Sequence, residues 1–220
     1  LMSNSPPQPS TTPLDPASAT AIDAVFHLYD PPLWLITAAE APEPGSTRGG
    51  LIATFVTRAS IVKRMPRMLA GIARQHHTWQ LIEASGRFAL HLLPESALDI
   101  VWRFALHSGR DVDKYARLPD TRTADGNPLI DASLSWLDCR VETSTNSGDR
   151  SLYIAAVTGG GVIRADAGPP LTAGRLMALA PSEKRAELDR LYRRDGPIDA
   201  DAIEAWRRGP KAIVEHLSTR

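Results

Sequence analysis

The chain has 220 residues, of which 43% are hydrophobic and 23% charged, values typical of a soluble protein with a packed core. Its 25 basic and 25 acidic residues cancel, so net charge gives no reason to expect nucleic acid or an anionic membrane as a partner. The single cysteine, Cys139, excludes an internal disulfide and a thiolate metal site, which favours a cytoplasmic location.

The N-terminal third of the chain predicts a tail followed by a helix and two strands. Residues 1–20 are rich in Pro, Ser and Thr without an apolar period, so we expect a disordered or draped tail. Ala21 to Leu28 is a short helix candidate. Leu33 to Ala39, an apolar run after two prolines, predicts a buried strand, and Leu51 to Ser60, rich in β-branched residues, predicts a second. The turn residues at 40–50 between them favour an antiparallel pair.

The middle of the chain predicts alternating strands and helices. Thr78 and Ser96 are expected to cap the two helices, and Gly86 to end the first of them. For the segment Pro66 to Ile72, a helix is the alternative to a strand, because the spacing of Met65, Met68 and Leu69 also suits a helix. The four segments are Pro66 to Ile72 (strand), Thr78 to Ser85 (helix), Phe88 to Leu93 (strand) and Ser96 to His107 (helix).

The second half predicts a β-hairpin and then a helical appendage. The hairpin strands are Ala132 to Thr143, with a possible bulge between Trp136 and Leu137, and Ser151 to Gly159. Two helices, capped by Ser182 and Asp199, are expected over Ser182 to Arg194 and Asp199 to Arg208. Short strands with antiparallel turns favour a barrel over a doubly wound sheet. We therefore predict a mainly-β fold with α-helices, a barrel domain over residues 21–180 and a helical extension over 181–220.

Four stretches, taken in order, resemble the flavin reductase-like family. Gly50 to Ser60 (GLIATFVTRAS) resembles its small, hydroxyl-rich strand, and Thr78 to Leu93 is similar to its pattern of Thr, a Leu-Ile pair and Ser-Gly-x-Phe. Trp102 to Tyr115 resembles its Phe-Ala, Gly and Asp-Lys-Phe run, and Leu134 to Ala155 its last hairpin. The resemblance covers roughly residues 28–165. It implies an FMN-binding split β-barrel, Greek-key-like, usually a homodimer with FMN or FAD at the subunit interface.

The chain departs from the family pattern at several positions. Phe55 and Arg58 stand in the strand that is Ser-rich in many members, and His91 replaces an Asn. Arg150 replaces the His of a Gly-Asp-His motif, and a run beginning at Gly159 (GGGVIRADAGPPL) replaces Val-x-x-Ala-His. These departures bear on a nicotinamide site more than on the flavin site.

One set of candidate flavin contacts lies on the predicted second strand. FMN requires hydrogen-bond donors for its phosphate, an apolar or aromatic wall for its ring and polar partners for the ring edge. Thr54 and Ser60 are expected to share a face of this strand. The alternative is that these hydroxyls belong to ordinary strand residues. With the resemblance, the candidates along the ring and ribityl chain are Ala53, Thr54, Phe55, Thr57, Arg58 and Ser60.

A second set of candidates lies in two loops. His76, His77 and Thr78 precede a helix whose free N–H groups suit an anion, so a phosphate or ribityl contact competes with a solvated, capped turn. The adjacent histidines diverge and make a poor metal pair. Arg110 and Lys114 are phosphate candidates, with surface ion pairs as the alternative.

These patterns predict an FMN-binding oxidoreductase, specifically an NAD(P)H-dependent flavin reductase that supplies reduced flavin to a separate oxygenase. The cofactor would carry the hydride chemistry, so no side chain is expected to be catalytic. One alternative is an FMN-binding electron carrier or storage protein without NAD(P)H turnover. Another is a barrel without flavin that acts through its helical extension. For the extension, packing of its helices on the barrel is the default expectation, and the alternatives are that it clasps a partner subunit or covers the flavin.

Overall fold

The computed structural model describes residues 14–209, so residues 1–13 of the predicted tail and 210–220 of the predicted extension lie outside it. None of the helices described between residues 14 and 209 combines the length and the apolarity that crossing a bilayer requires. In chain order the elements are α1 (Pro16–His27), β1 (Trp34–Ala39), β2 (Arg48–Ala53), β3 (Val56–Arg58), β4 (Arg67–Ala73), α2 (His77–Ser85), β5 (Arg87–Leu92), a 3₁₀ turn (Glu95–Ala97), α3 (Leu98–Leu106), β6 (Ser135–Asn146), β7 (Arg150–Val162), α4 (Ala173–Leu179) and α5 (Ser182–Arg208).

The strands form one antiparallel sheet in the order β2-β1-β5-β6-β7-β4-β3. Its two edge strands, β2 and β3, are consecutive in sequence and are separated only by Thr54 and Phe55. Because this two-residue link, which we call the seam, holds the two edges together, the sheet has to curl round on itself. The curled sheet with its helices confirms the predicted mainly-β split barrel.

The seam also corrects the single strand that was predicted over residues 51–60. The backbone bends at Thr54 and Phe55, so that β2 pairs with β1 while β3 pairs with β4. The Phe55 carbonyl accepts a hydrogen bond from the Gly71 N–H of β4 at 2.8 Å, which fixes the bend. Residues before and after the seam therefore belong to opposite edges of the sheet.

Two apolar clusters lie on opposite faces of the sheet. Successive residues of a strand point to opposite faces, and Leu35 and Ile36 of β1 accordingly belong to different clusters. The cluster inside the barrel contains Ile36, Ala53, Met68, Ile72, Phe88, Leu90, Cys139 and Tyr153, with Leu81 and Ile82 of α2. The outer cluster joins the sheet to α3 and α4 and contains Leu35, Leu93, Val101, Phe104, Tyr115, Leu171 and Leu176.

Most predicted strands and helices are confirmed, but several helix ends differ. α1 begins earlier than expected, at Pro16, because the Asp15 carboxylate caps it by accepting from the N–H groups of Ala17 and Ser18 at 3.0 Å. Gly86 ends α2 in a left-handed conformation with φ 67°, as predicted. α4 was not predicted. The hairpin bulge falls between Asp138 and Cys139, and the ladder shifts again between Val141 and Thr143.

The predicted caps of the later helices are wrong. α2 begins after His76 without a side-chain cap, because Thr78 is buried against β2 instead. Ser96 lies within the 3₁₀ turn that precedes α3. Ser182 makes no capping bond, and Asp199 lies inside α5, where its carboxylate pairs with Arg150. The two predicted C-terminal helices are thus one helix that continues through Pro197.

Candidate flavin site at the barrel seam

The first group of predicted site residues surrounds the seam. Phe55 exposes 57% of its surface, and the Arg150 guanidinium lies 4.6 Å from the centre of its ring. Gly71 permits the close approach of Phe55, because an added Cβ there would lie 3.2 Å from the Phe55 Cβ. Across residues 14–209 no hydrogen bond uses the hydroxyls of Thr54 or Thr57. The seam therefore presents an aromatic face with a cation on it and two available hydroxyls.

The end of β3 points away from this arrangement. Arg58 is exposed and donates to the Ser60 carbonyl at 3.4 Å. The Ser60 hydroxyl accepts from the Val62 N–H at 3.0 Å, which stabilises the turn before β4. The expectation that Thr54 and Ser60 share one strand face is wrong, because Thr54 belongs to the seam and Ser60 lies beyond the end of β3, so neither is part of a strand.

The second group of predicted residues gathers around the start of β2. Gly49 faces α2, and an added Cβ would lie 3.2 Å from the Thr78 hydroxyl and 3.5 Å from the His77 ring. Gly109 also approaches His77, because its added Cβ would lie 3.2 Å from the ring. Arg110 donates to the Gln75 carbonyl at 3.0 Å, next to the start of α2. The fold thus brings together loop residues that are more than 30 positions apart in sequence.

Lys114 is held beneath this loop by backbone carbonyls. Its ammonium donates to the carbonyls of Gly50 and Phe104, each at 2.9 Å. The Phe104 carbonyl belongs to the last turn of α3, where a cation is favoured by the helix dipole. Burial lowers the pKa of Lys114 to about 8. An ammonium has three N–H donors, so one remains for a ligand.

A cleft of about 320 Å³ lies beside the second group. It is lined by polar and charged residues, a composition that suits an anionic group better than an apolar ring. The lining residues are Ser46, Thr47, Arg48, Gly109, Arg110, Asp111, Val112, Asp113 and Lys114. Arg48 is already paired with Asp120 at 2.8 Å and lies 4.5 Å from the centre of the Tyr115 ring.

Electrostatics link the two groups. Burial lowers the pKa of His76, and the nearby cations Lys114, Arg150 and Arg110 lower it further, whereas Asp195 of α5 raises it. His76 therefore lies within reach of cations from the second group and from the hairpin at the start of β7. A surface that gathers three cations around a neutral imidazole favours an anionic ligand.

Sequence reasoning missed Arg150 and Tyr115 as parts of this region. Tyr115 donates its hydroxyl to the Gly49 carbonyl at 2.7 Å, and burial raises its pKa far above the usual range. Arg150 was noted only as a departure from a Gly-Asp-His motif. That departure was the available signal, because it exchanges an imidazole for a permanent cation.

Another cleft, of about 380 Å³, lies elsewhere and contains none of the predicted residues. Arg87, Arg140 and Asp125 line it, and Asp125 accepts from both Arg140 and Thr158. Cys139 is buried as expected, and burial raises its pKa to about 12, so it is a poor nucleophile. Within the described range, no group of three His, Cys, Asp or Glu side chains is suited to hold a metal ion.

The residue types at the seam and in the two loops are ones that can bind a flavin. Arg110, Lys114 and the start of α2 offer donors to a phosphate, and Phe55 offers an aromatic wall. The hydroxyls of Thr54 and Thr57 are not engaged by the described part of the chain. Of the predicted candidates, Phe55 thus lies on an aromatic surface at the seam, whereas Arg110, Lys114 and the start of α2 lie on a cationic surface.

Comparison with known proteins identifies similar chains. A family model described as "Flavin reductase like domain" matches residues 26–177, which confirms the resemblance seen in the sequence. HsaB, the reductase subunit of a flavin-dependent monooxygenase from Mycobacterium tuberculosis, is 32% identical over 99 residues, covering 45% of this chain and 51% of HsaB. A flavin reductase from Pseudomonas putida is 26% identical over 122 residues, covering 56% of this chain and 69% of that protein. The chain thus spans about half the length of HsaB.

A solved structure is also similar. Nitrilotriacetate monooxygenase component B from Mycobacterium thermoresistibile has a TM-score of 0.59 at 25% identity, covering 71% of this chain and 82% of that one. The family match ends at residue 177, so α5, which begins at Ser182, lies beyond it.

Proposed function

Because the chain belongs to the flavin reductase-like family, we propose that it is an NAD(P)H-dependent flavin reductase that binds FMN beside the barrel seam. The observation that carries this proposal is the exposed Phe55 ring at the seam, with the Arg150 guanidinium 4.6 Å from its centre. A second component, an oxygenase, would take up the reduced flavin, as the names of the monooxygenase-associated relatives suggest. We place the protein in the cytoplasm, since its one cysteine is a buried free thiol.

Different residues would contact different parts of the cofactor. Arg110, the third donor of Lys114 and the first N–H groups of α2 would hold the phosphate. Phe55 would form one wall for the ring, with the hydroxyls of Thr54 and Thr57 along the ribityl chain. We prefer FMN to FAD on the family resemblance, with the cleft of about 320 Å³ beside Arg110 as the place of its phosphate.

The protein contributes position and solvent exclusion to the reaction. When bound, the flavin would supply the hydride-accepting ring. The pKa of His76 is lowered by burial, so this ring is neutral at pH 7 and leaves the phosphate surface to the permanent cations. No side chain needs to act as acid or base for hydride transfer, so the seam residues bind and orient.

A second copy of the chain would complete the site. The loop between β3 and β4 exposes large apolar side chains next to the seam, including Ile61 at 93%, with Val62 and Met65. An exposed apolar group of this kind marks an interaction surface. This loop follows Phe55 and β3 in sequence, and a homodimer formed through it would carry the flavin near the subunit interface.

An FMN-binding electron carrier without NAD(P)H turnover is the second candidate. It is favoured by the Gly159–Gly161 run on β7, where an added Cβ on Gly161 would lie 2.9 Å from the Trp136 indole nitrogen. The strand there carries no side chain to contact a nicotinamide. Anaerobic mixing with NADH and with NADPH separates the candidates: bleaching of bound flavin supports the reductase, and persistent oxidised flavin supports the carrier.

The binding site itself is tested by titration of the apoprotein with FMN. Arg110→Leu removes a donor to the phosphate and is expected to weaken FMN binding about ten- to a hundredfold, the range for a hydrogen bond to a charged group. Arg164→Leu, an exposed arginine before α4, is the control and should leave affinity unchanged. Equal FMN affinity in both variants and wild type would place the phosphate elsewhere.

A further inference from the structure

α5 lies outside the family match but lies against the candidate site. None of its residues is buried, so polar contacts and half-buried side chains hold it to the rest of the protein. It contacts α3, and near its C-terminal end it reaches the turn between β6 and β7. This path takes α5 past the cationic surface that surrounds His76.

The closest approach of α5 is to the hairpin turn that carries Arg150. Gly148 has φ 103°, and an added Cβ would lie 2.8 Å from the Cα of Ile203. Backbone therefore meets backbone at this point. The approach places the Asp199 carboxylate 3.4 Å from a guanidinium nitrogen of Arg150, with both side chains about one quarter exposed.

A second carboxylate of α5 faces the same surface. Asp195 precedes Asp199 by four residues, so both lie on one side of the helix. Asp195 pairs with Arg194 at 2.7 Å and also raises the pKa of His76, against the effect of burial. Gly196 and Pro197 separate the two acids, and Pro197 lacks the N–H that would bond one turn back. The backbone hydrogen bonding of α5 is therefore interrupted between Asp195 and Asp199.

Arg150 is the cation that Asp199 engages. Its guanidinium lies over the Phe55 ring at 4.6 Å and pairs with Asp149 at 2.9 Å as well as with Asp199. Asp149 is its neighbour in sequence, whereas Asp199 is brought by α5. Removal of Asp199 would leave a donor edge of Arg150 free beside the aromatic wall.

We propose that Asp199 is an internal competitor that occupies, at Arg150, the place of a phosphate group of the nucleotide bound at the seam. The proposal rests on the proposed flavin-binding function. The phosphate belongs either to FMN, with Arg150 as a donor in addition to Arg110 and Lys114, or to the nicotinamide dinucleotide, and both offer phosphate oxygens to a guanidinium. α5 thereby weakens nucleotide binding and sets the affinity of the site from outside the family domain.

The test compares two neighbouring substitutions in the full chain. Asp199→Asn removes the competing charge, and Asp201→Asn is the matched control, because Asp201 is exposed and lies about 200° round the helix from Asp199. FMN dissociation constants of the apoproteins and KM values for NADH at saturating FMN are measured. Asp199→Asn is expected to tighten one of them about three- to fivefold, the scale of a partly exposed ion pair.

The two measurements distinguish the sources of the phosphate. A tighter FMN constant with unchanged KM assigns Arg150 to the flavin phosphate, and a lower KM with an unchanged FMN constant assigns it to the dinucleotide. Wild-type affinities in Asp199→Asn, or the same gain in Asp201→Asn, would overturn the proposal. If wild type binds no flavin at all, the proposed function fails instead, which is a different result.

A double substitution tests whether the effect passes through Arg150. In an Arg150→Leu background, Asp199→Asn should produce no further tightening, because its partner is gone. A gain that persists without Arg150 would contradict the competition. If Arg150→Leu does not fold, as judged by its circular dichroism melt, the comparison of Asp199→Asn with Asp201→Asn still decides the proposal.

Discussion

At the scale of single residues, His91 shows how burial fixes a protonation state. It occupies a β5 position where the family often has Asn, and none of its surface is exposed. Its Nδ1 lies 3.3 Å from the Leu35 carbonyl, and its Nε2 accepts from the Ile130 N–H at 3.4 Å. A neutral ring satisfies both contacts. Burial accordingly lowers the pKa of His91 to about 4.

His91 is expected to make the protein less stable in acid. The unfolded chain binds a proton to this ring near pH 6.5, whereas the folded chain binds it near pH 4, so stability falls as pH drops between these values. The full loss is about 3 kcal/mol. His91→Gln keeps a donor and an acceptor but does not titrate, so its urea-unfolding free energy should change less between pH 7 and pH 4.5. The exposed His107→Gln is the control, and parallel pH profiles for His91→Gln and wild type would refute this assignment.

At the scale of elements, glycines in β2 let helices approach the sheet. An added Cβ on Gly50 would lie 2.7 Å from the Phe104 ring of α3, while one on Gly49 would lie 2.8 Å from Leu81 of α2. The carbonyls of the same two glycines accept the side chains of Tyr115 and Lys114. The start of β2 is therefore the point at which the helices and the loop after α3 are held to the barrel.

Gly50→Ala is expected to push α3 away from β2. The methyl group meets a buried ring that packs edge-on against Tyr115, so it cannot be relieved by a flexible side-chain end. We expect a loss of about 1–3 kcal/mol, the usual range for overpacking. Gly196→Ala is the matched control: it lies in α5 with open space around it and should stabilise by about 0.5–1 kcal/mol through helix propensity. Melting temperatures that move in the same direction for both variants would contradict this account.

At the scale of the whole molecule, two of the groups of exposed apolar residues are candidates for a subunit interface. One is the β3–β4 loop, which follows the seam and β3 in sequence, and the other is α1 and the residues after it, where Leu28 is 88% exposed. The first is the nearer in sequence to Phe55 of the candidate flavin site. The proposed dimer therefore uses the loop of Ile61, Val62 and Met65.

The dimer is tested by placing charge on each surface in turn. Ile61→Lys, made together with Met65→Lys, is expected to convert a dimer into a monomer, because a buried interface would then hold two unpaired charges in each subunit. Leu28→Lys is the control for a side chain that is equally exposed. Sedimentation equilibrium measures the mass of each variant. A monomeric wild type, or a dimer that survives both loop charges, would remove this loop from the interface.

The sequence alone predicted much of the fold because strand and helix patterns are local. Apolar runs gave β1, β4 and β5, Gly86 marked the end of α2, and the ordered motifs indicated the family. The predicted helix caps at Thr78 and Asp199 were wrong, because each side chain contacts a residue far away in the sequence, which no local pattern reveals. The prediction of one continuous strand through the seam was wrong for the same reason. The chain bends at Thr54 and Phe55 because β2 pairs with β1 whereas β3 pairs with β4.

For the candidate site, too, one part could be predicted from the sequence and another part could not. The residue types at Phe55, Arg110 and Lys114 could be chosen from the sequence, because phosphate and ring chemistry require cations and an aromatic wall. Their positions relative to one another could not be predicted, since Lys114 contacts the Gly50 carbonyl across 64 residues of sequence and Asp199 contacts Arg150 across 49. The sequence by itself determined a flavin reductase-like barrel and the kinds of group at its site. Only the tertiary structure decided that Arg150 lies on Phe55 and that α5 brings a competing carboxylate, because both contacts depend on long-range packing.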